Sequence, residues 1–176
     1  MNISIFDVLK ETYLYRNEPT IFWIMLWTII ALLGVCIITA IFNTWVQIST
    51  KVKIEMLSEE ADEITPSEFF DLRNRKIGRK LIYKDFDFSG VYILFNEDKN
   101  MYYVGQGKSV FERVNNHFTG KGNGDVYADY KYGDSFKIKM ISLENSGFSS
   151  LNELERATIK TYNAYSQGYN KTRGNR

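Results

Sequence analysis

Residues 90–105 read GVYILFNEDKNMYYVG, and this stretch decides the fold of the C-terminal half. Val91 to Phe95 is a β-branched and aromatic run that suits a pleated strand. Asn96 to Asn100 is a polar turn, and Met101 to Val104 is a second apolar run, so the segment predicts an antiparallel hairpin. The triplets GVY (Gly90-Val91-Tyr92) and YVG (Tyr103-Val104-Gly105) put one tyrosine on each strand. Aromatic cross-strand neighbours usually pack, so each tyrosine taken singly reads as core.

Downstream, Ser109-Val110-Phe111-Glu112 has the spacing of a capping box and opens a helix through Phe118. Thr119 to Asp125 is a glycine-rich loop, Val126 to Tyr132 a short helix, and Phe136 to Leu143 a third strand with Phe136, Ile138 and Met140 on one face. Ser150-Leu151-Asn152-Glu153 opens a long helix to about Tyr165. The order ββααβα describes an α/β (α+β) domain at 86–176. About ninety residues give a small core, which the many tyrosines and phenylalanines help to fill.

Helical geometry singles out one carboxylate. With Leu151 at 0° and about 100° per residue, Leu154, Thr158, Ile159, Tyr162 and Tyr165 fall between roughly −60° and +80°. Glu155 falls at about 40°, inside that apolar face, whereas Glu153 falls near 200° on the solvent side. A carboxylate aimed into an apolar face needs a partner, and either a divalent cation or an arginine would serve.

Arg113 and His117 stand four apart and share one edge of their helix, beside the Val110, Val114, Phe118 stripe that must pack on the sheet. Both side chains can therefore reach toward Tyr92 and Tyr103. Taken alone, the pair reads as an arginine covering apolar surface and a histidine at a core boundary.

The set Tyr92, Tyr103, Arg113, His117, Glu155 and Gly168-Tyr169-Asn170, with its spacings, resembles the GIY-YIG nuclease superfamily over residues 88–174. Valine replaces isoleucine in both triplets, and every other matched position is filled. The resemblance implies a three-stranded antiparallel sheet flanked by helices and a metal-dependent DNA endonuclease that hydrolyses phosphodiester bonds. It implies that Tyr92 contacts the attacking water as general base or proton relay, with Tyr103 positioning the nucleophile or a phosphate oxygen. Arg113 would offer its planar fork of donors to the phosphate, and His117 would accept a proton from the Tyr92 region. Glu155 aligns with the metal ligand, so one Mg²⁺ (or Mn²⁺) per site is expected, and Asn170 with the residue that orders the site through hydrogen bonds. Lys108 and Lys121 are candidate phosphate contacts, and Tyr102 and Tyr169 read as packing.

The N-terminal part has a different character. Pro19 to Thr50 is 32 residues without Asp, Glu, Lys, Arg or His. Its most apolar part, Ile21 to Phe42, would span about 33 Å as a helix, against a hydrocarbon core of about 30 Å. Trp23 and Trp27 lie toward one end and Trp45 at the other, where interfacial aromatics belong. A cleaved signal peptide is the other reading, but its apolar region runs only about 7–15 residues and follows a basic start. Residues 19–48 are therefore expected as one transmembrane helix. It follows an extramembrane segment at 1–18 and precedes a charged helical stalk and linker at 49–85. Within that linker, Thr65-Pro66-Ser67-Glu68 announces a helix that could run to about Tyr83.

Charge sets further bounds. The net charge of +1 averages seven acidic and no basic residues from Glu55 to Asp71 with six basic and no acidic residues from Arg73 to Lys84. Residues 86–176 carry twelve basic and ten acidic side chains, so the domain will not coat DNA by charge alone. The basic run reads equally as a phosphate contact or a solvated helix face. Cys36, the single cysteine, excludes an intrachain disulfide and a cysteine-based metal site. Lys10 and Arg16 on one side of the apolar segment balance Lys51 and Lys53 on the other. Orientation must then follow chemistry, which puts a DNA-cutting domain in the cytoplasm. The expected protein is a single-pass membrane endonuclease of low sequence specificity, with DNA and the bilayer as partners, acting on entering DNA as in phage defence or mobile-element traffic. The alternative is a membrane-tethered module that binds DNA or protein without cutting.

Overall fold

The computed structural model describes residues 19–175; the expected extramembrane segment at 1–18 lies outside them. The chain divides into two units, and the C-terminal one begins at Ser49. Helix α1 runs from Pro19 to Glu60 without a break. Proline is absent from its interior, and Gly34 is its one glycine. Its Thr28, Thr39 and Thr44 hydroxyls donate to the carbonyls of Met25, Cys36 and Ala40 at 2.7, 2.9 and 2.9 Å, so their polar groups are satisfied within the helix. Trp27, Leu32 and Ile38 are 65–66 % exposed. One helix here is thus long and apolar enough to cross a membrane.

The stretch 49–85, expected as stalk and linker, packs into the C-terminal unit. Ile54 at the end of α1 is fully buried with Val91, Ile93, Val104, Ile141, Leu154 and Ile159. Ile64 pairs with Ile138, its N–H donating at 3.0 Å and its carbonyl accepting at 2.8 Å. Helix α2 (Pro66–Asn74) has the expected Thr65–Glu68 capping box. It does not continue to Tyr83. Arg75 is extended, and a two-stranded hairpin follows, β1 (Lys76–Ile77) and β2 (Lys80–Leu81), turning on Gly78 at φ 61°. That backbone region is open to glycine at little cost, and Ile-Gly-Arg was the turn signal in a run otherwise read as a basic helix. A 3₁₀ turn (Ile82–Asp85) then leads into the domain.

The sheet has the order β4-β3-β5, all antiparallel, with β3 (Gly90–Asn96), β4 (Met101–Gly107) and β5 (Phe136–Ser142). β3 is central and almost wholly buried, as its continuous apolar run requires. One face carries Tyr92 and Leu94 against helix α3 (Val110–Phe118), helix α4 (Gly124–Tyr132) and Phe69 of α2. The other carries Val91 and Ile93 against helix α5 (Leu151–Thr161) and Ile54. This is the three-stranded α/β arrangement expected, with boundary corrections. β4 runs to Gly107 rather than Val104. α5 stops at Thr161 rather than near Tyr165, because Asn163 takes φ 52° and Tyr165 turns to solvent. Ser109 makes no capping hydrogen bond to its helix. Its hydroxyl binds Asp87, whose other carboxylate oxygen accepts from the Phe111 N–H at 3.2 Å and caps α3 instead.

Candidate active site

Alternation along β3 and β4 puts Tyr92 and Tyr103 on the same face as α3. They are not directly opposed: Tyr92 pairs with Gly105, and Tyr103 with Leu94. The missing side chain at 105 is what admits the phenol, since a Cβ there would lie 2.2 Å from the Tyr92 hydroxyl. The rings of Tyr92 and Tyr103 are 6.2 Å apart, and that of His117 lies 5.4 Å from the first and 4.5 Å from the second. Helix α3 delivers His117 because Val110, Val114 and Phe118 bury on the same side.

His117 is fixed on both nitrogens. Nδ1 accepts the Asn123 backbone N–H at 2.9 Å, and Nε2 stands 2.9 Å from the Tyr92 hydroxyl. A ring whose Nδ1 accepts must carry its proton on Nε2 when neutral, which makes Nε2–H the donor to Tyr92. Burial, and then the charge of Arg113, hold the imidazole down to about 4, so it is neutral at physiological pH. The expectation that His117 accepts a proton from the Tyr92 region is therefore corrected: its acceptor nitrogen is occupied, and the nitrogen facing Tyr92 donates. Gly122 makes this possible, because a Cβ there would come within 2.6 Å of Nδ1. Asn123 and Gly122 escaped the sequence reading, although they sit in the glycine-rich loop it marked.

Tyr92 is fully buried, and burial, then Tyr103, push its hydroxyl well above the usual phenol range. Arg113 opposes both effects on Tyr92 and also lowers Tyr103, whose own rise comes mainly from burial. The Arg113 side chain lies across Gly107, where a Cβ would be 2.5 Å from its Cγ, and it remains exposed at the mouth of the site.

Glu155 approaches from the other face, around the edge strand β4. It is 7 % exposed, as the helical wheel required. No arginine or lysine among the described residues pairs with it; its Oε2 accepts from Gln106 Nε2 at 3.1 Å and from the Asn175 N–H at 3.0 Å. Gln106 Nε2 also donates to Asn152 Oδ1 at 2.7 Å. Gln106 was missed because β4 was ended two residues early. Burial first, and the negative charge of Glu155 in smaller part, raise the Tyr103 hydroxyl. No group of three or more His, Cys, Asp or Glu side chains gathers as a metal cluster among the described residues, so Glu155 acts here as a lone carboxylate.

Asn170 clamps the same edge. Its Oδ1 accepts the Val104 N–H at 2.8 Å, and its Nδ2 donates to the Val104 carbonyl at 2.7 Å, completing β4 as a neighbouring strand would. Tyr169 does more than pack: its hydroxyl donates to Asp129 at 2.6 Å and accepts from Asn96 at 2.8 Å. Tyr102 stacks on Phe95 and packs at a tilt against Tyr162. Lys108 and Lys121 are exposed, and nothing in the geometry assigns them to a ligand.

Residues 88–170 match the family model described as the GIY-YIG catalytic domain. The C-terminal domain is a GIY-YIG domain. It is thus of the nuclease type, and the match spans β3 through Asn170, the elements that carry Tyr92, Tyr103, Arg113, His117 and Glu155. Neither the curated proteins nor the solved structures returned a match to the chain.

Proposed function

We propose that this protein is a membrane-anchored, metal-dependent DNA endonuclease of low sequence specificity. The observation that carries the reading is a buried carboxylate, without a cationic partner among the described residues, held by Gln106 next to the Gly105 that faces Tyr92, a tyrosine itself held by a neutral histidine. The donor set suits a hard divalent ion such as Mg²⁺: one carboxylate oriented by amides, with the remaining positions open to water and phosphate oxygens. Bound at Glu155, such an ion would withdraw charge from the scissile phosphate and the leaving oxygen.

The chain's own groups supply the rest. Arg113 presents its guanidinium to the equatorial phosphate oxygens as negative charge builds there. Tyr92, as phenolate, takes the proton of the attacking water, and the His117 Nε2–H stabilises that phenolate by donating to its oxygen. Tyr103 fixes the nucleophile or a phosphate oxygen, and Asn170 holds the strand on which Tyr103 stands. Burial keeps the resting phenol protonated, so Arg113 and a cation at Glu155 would together have to lower it.

Helix α1 supports the anchor, because residues 20–48 expose an apolar surface that water would not tolerate over such a length. The catalytic domain faces the cytoplasm in this proposal. A weakly charged domain binds DNA loosely, and anchoring raises the effective concentration of DNA that crosses or touches the membrane, including DNA entering during phage injection, conjugation or uptake. The test is full-length protein in lipid nanodiscs with supercoiled plasmid. Cutting or nicking with Mg²⁺ or Mn²⁺, abolished by chelator, is expected; intact plasmid with both metals would refute the proposal.

A further inference from the structure

The hairpin Lys76–Leu81 lies outside the segment matched to the family and has no part in the site described above. Its register pairs Lys76 with Leu81 and Ile77 with Lys80, so the two pairs point to opposite faces. Leu81 packs on the core, which turns the Ile77–Lys80 face outward. Arg75, Lys76, Arg79 and Lys80 are all exposed, and Ile77 is 73 % exposed beside the turn at Gly78. Lys80 is held by Asp85 at 2.5 Å; Arg75, Lys76 and Arg79 have no carboxylate partner among the described residues.

The base of this hairpin is fastened to the catalytic helix. The Tyr83 hydroxyl donates to Glu112, and Arg73 Nη2 reaches both Glu112 oxygens at 3.3 Å. Tyr83 also stacks on Phe111 at 5.6 Å. Phe111 and Glu112 immediately precede Arg113. Three cations and one apolar side chain are thereby held on a short ribbon at a fixed offset from the residue proposed to bind the scissile phosphate.

We propose that this hairpin is a second DNA contact, with Arg75, Lys76 and Arg79 binding backbone phosphates away from the cut and Ile77 resting against the groove wall. The inference rests on the DNA-cleaving reading above. It goes beyond that reading by assigning duplex positioning to an element outside the catalytic fold. Charge alone would also suit anionic lipid. The rigid link to α3 favours DNA, because a fixed distance to Arg113 matters only for a ligand that reaches both.

The experiment measures binding without cleavage. Full-length protein in nanodiscs of neutral phosphatidylcholine is titrated against a fluorescent duplex in chelator, over a range of KCl concentrations. Each phosphate contact contributes about 0.9 to the slope of log affinity against log salt. The triple variant R75Q/K76Q/R79Q should reduce that slope by about 2–3 and weaken binding on the order of a hundred-fold at physiological salt. R79Q alone, at the turn tip, should reduce it by about 1 and serves if the triple variant misfolds. An unchanged slope overturns the proposal whether or not the wild type cuts on adding Mg²⁺. Normal DNA binding without cutting would count against the nuclease reading alone. Trypsin digestion at Arg75, Lys76 and Arg79 separates the lipid source. Protection by phosphatidylserine nanodiscs without DNA, together with an unchanged DNA slope, assigns the hairpin to the membrane and overturns the proposal.

Discussion

The imidazole of His117 donates to the hydroxyl of Tyr92 across 2.9 Å, and the direction of that bond is set by Asn123 on the far side of the ring. A neutral histidine so held cannot act as a base toward Tyr92. It can lower the cost of a buried phenolate, which makes it a positioning and stabilising group.

This arrangement has a consequence for stability. The His117 value in the folded protein, about 4, lies below the ordinary 6.5, so between these limits the unfolded chain binds the proton that the folded chain refuses. Stability should be unaffected by this group above pH 6.5 and should fall as pH drops toward 4, by about 1.4 kcal/mol per pH unit at most. H117Q can keep both hydrogen bonds through its amide. Thermal unfolding of H117Q should show a shallower acid loss than wild type over that window; identical curves would contradict the assignment.

The same geometry separates two pH–rate profiles. With Tyr92 as the base and its hydroxyl raised by burial in the free protein, log kcat/KM should climb by about one per pH unit from neutrality to about pH 9.5 without levelling. A histidine base at about 4 would instead give a plateau above about pH 5. Y92F should lose activity on the order of 10²-fold or more while folding normally. G105A should do comparable harm, because its methyl would sit 2.2 Å from the Tyr92 hydroxyl.

Asn170 closes the β4 edge with two hydrogen bonds to Val104. N170A should cost about 1–3 kcal/mol in urea unfolding and lower kcat, since the strand bearing Tyr103 loses its outer partner. N170D keeps the acceptor but sets a carboxylate against the Val104 carbonyl, and it should be no better than N170A. Full stability in N170A would show that the clamp is dispensable.

Orientation is open to direct chemistry. In a C36A background, S166C places a thiol at an exposed position of the catalytic unit. A membrane-impermeant maleimide should label it only after cells are permeabilised. Labelling of intact cells would place the domain outside the cytoplasm and exclude action on cytoplasmic DNA.

Much of this site was legible in the sequence because its residues obey local periodicities. The hairpin signal put one tyrosine on each strand, a four-residue step joined Arg113 to His117, and the helical wheel turned Glu155 inward. The capping box at Thr65 was equally local and equally sound. What escaped depends on tertiary contact. Asp87 took the cap expected of Ser109 from 22 residues away. The role of His117 turned on a backbone N–H in a loop, and Gln106 joined the site only because β4 extends past Gly105. The basic run hid a hairpin because charge was its dominant signal, while its one conformational cue was Gly78.

The most direct test of the account concerns Glu155. Full-length wild type, E155Q and R113A in nanodiscs are compared for plasmid cleavage with Mg²⁺, alongside duplex binding in chelator and thermal unfolding. The account predicts that E155Q folds and binds DNA like wild type yet cuts at least 10³-fold more slowly, because the amide keeps the shape of the carboxylate but loses the charge that would hold a metal. Cutting by E155Q at the wild-type rate would contradict it.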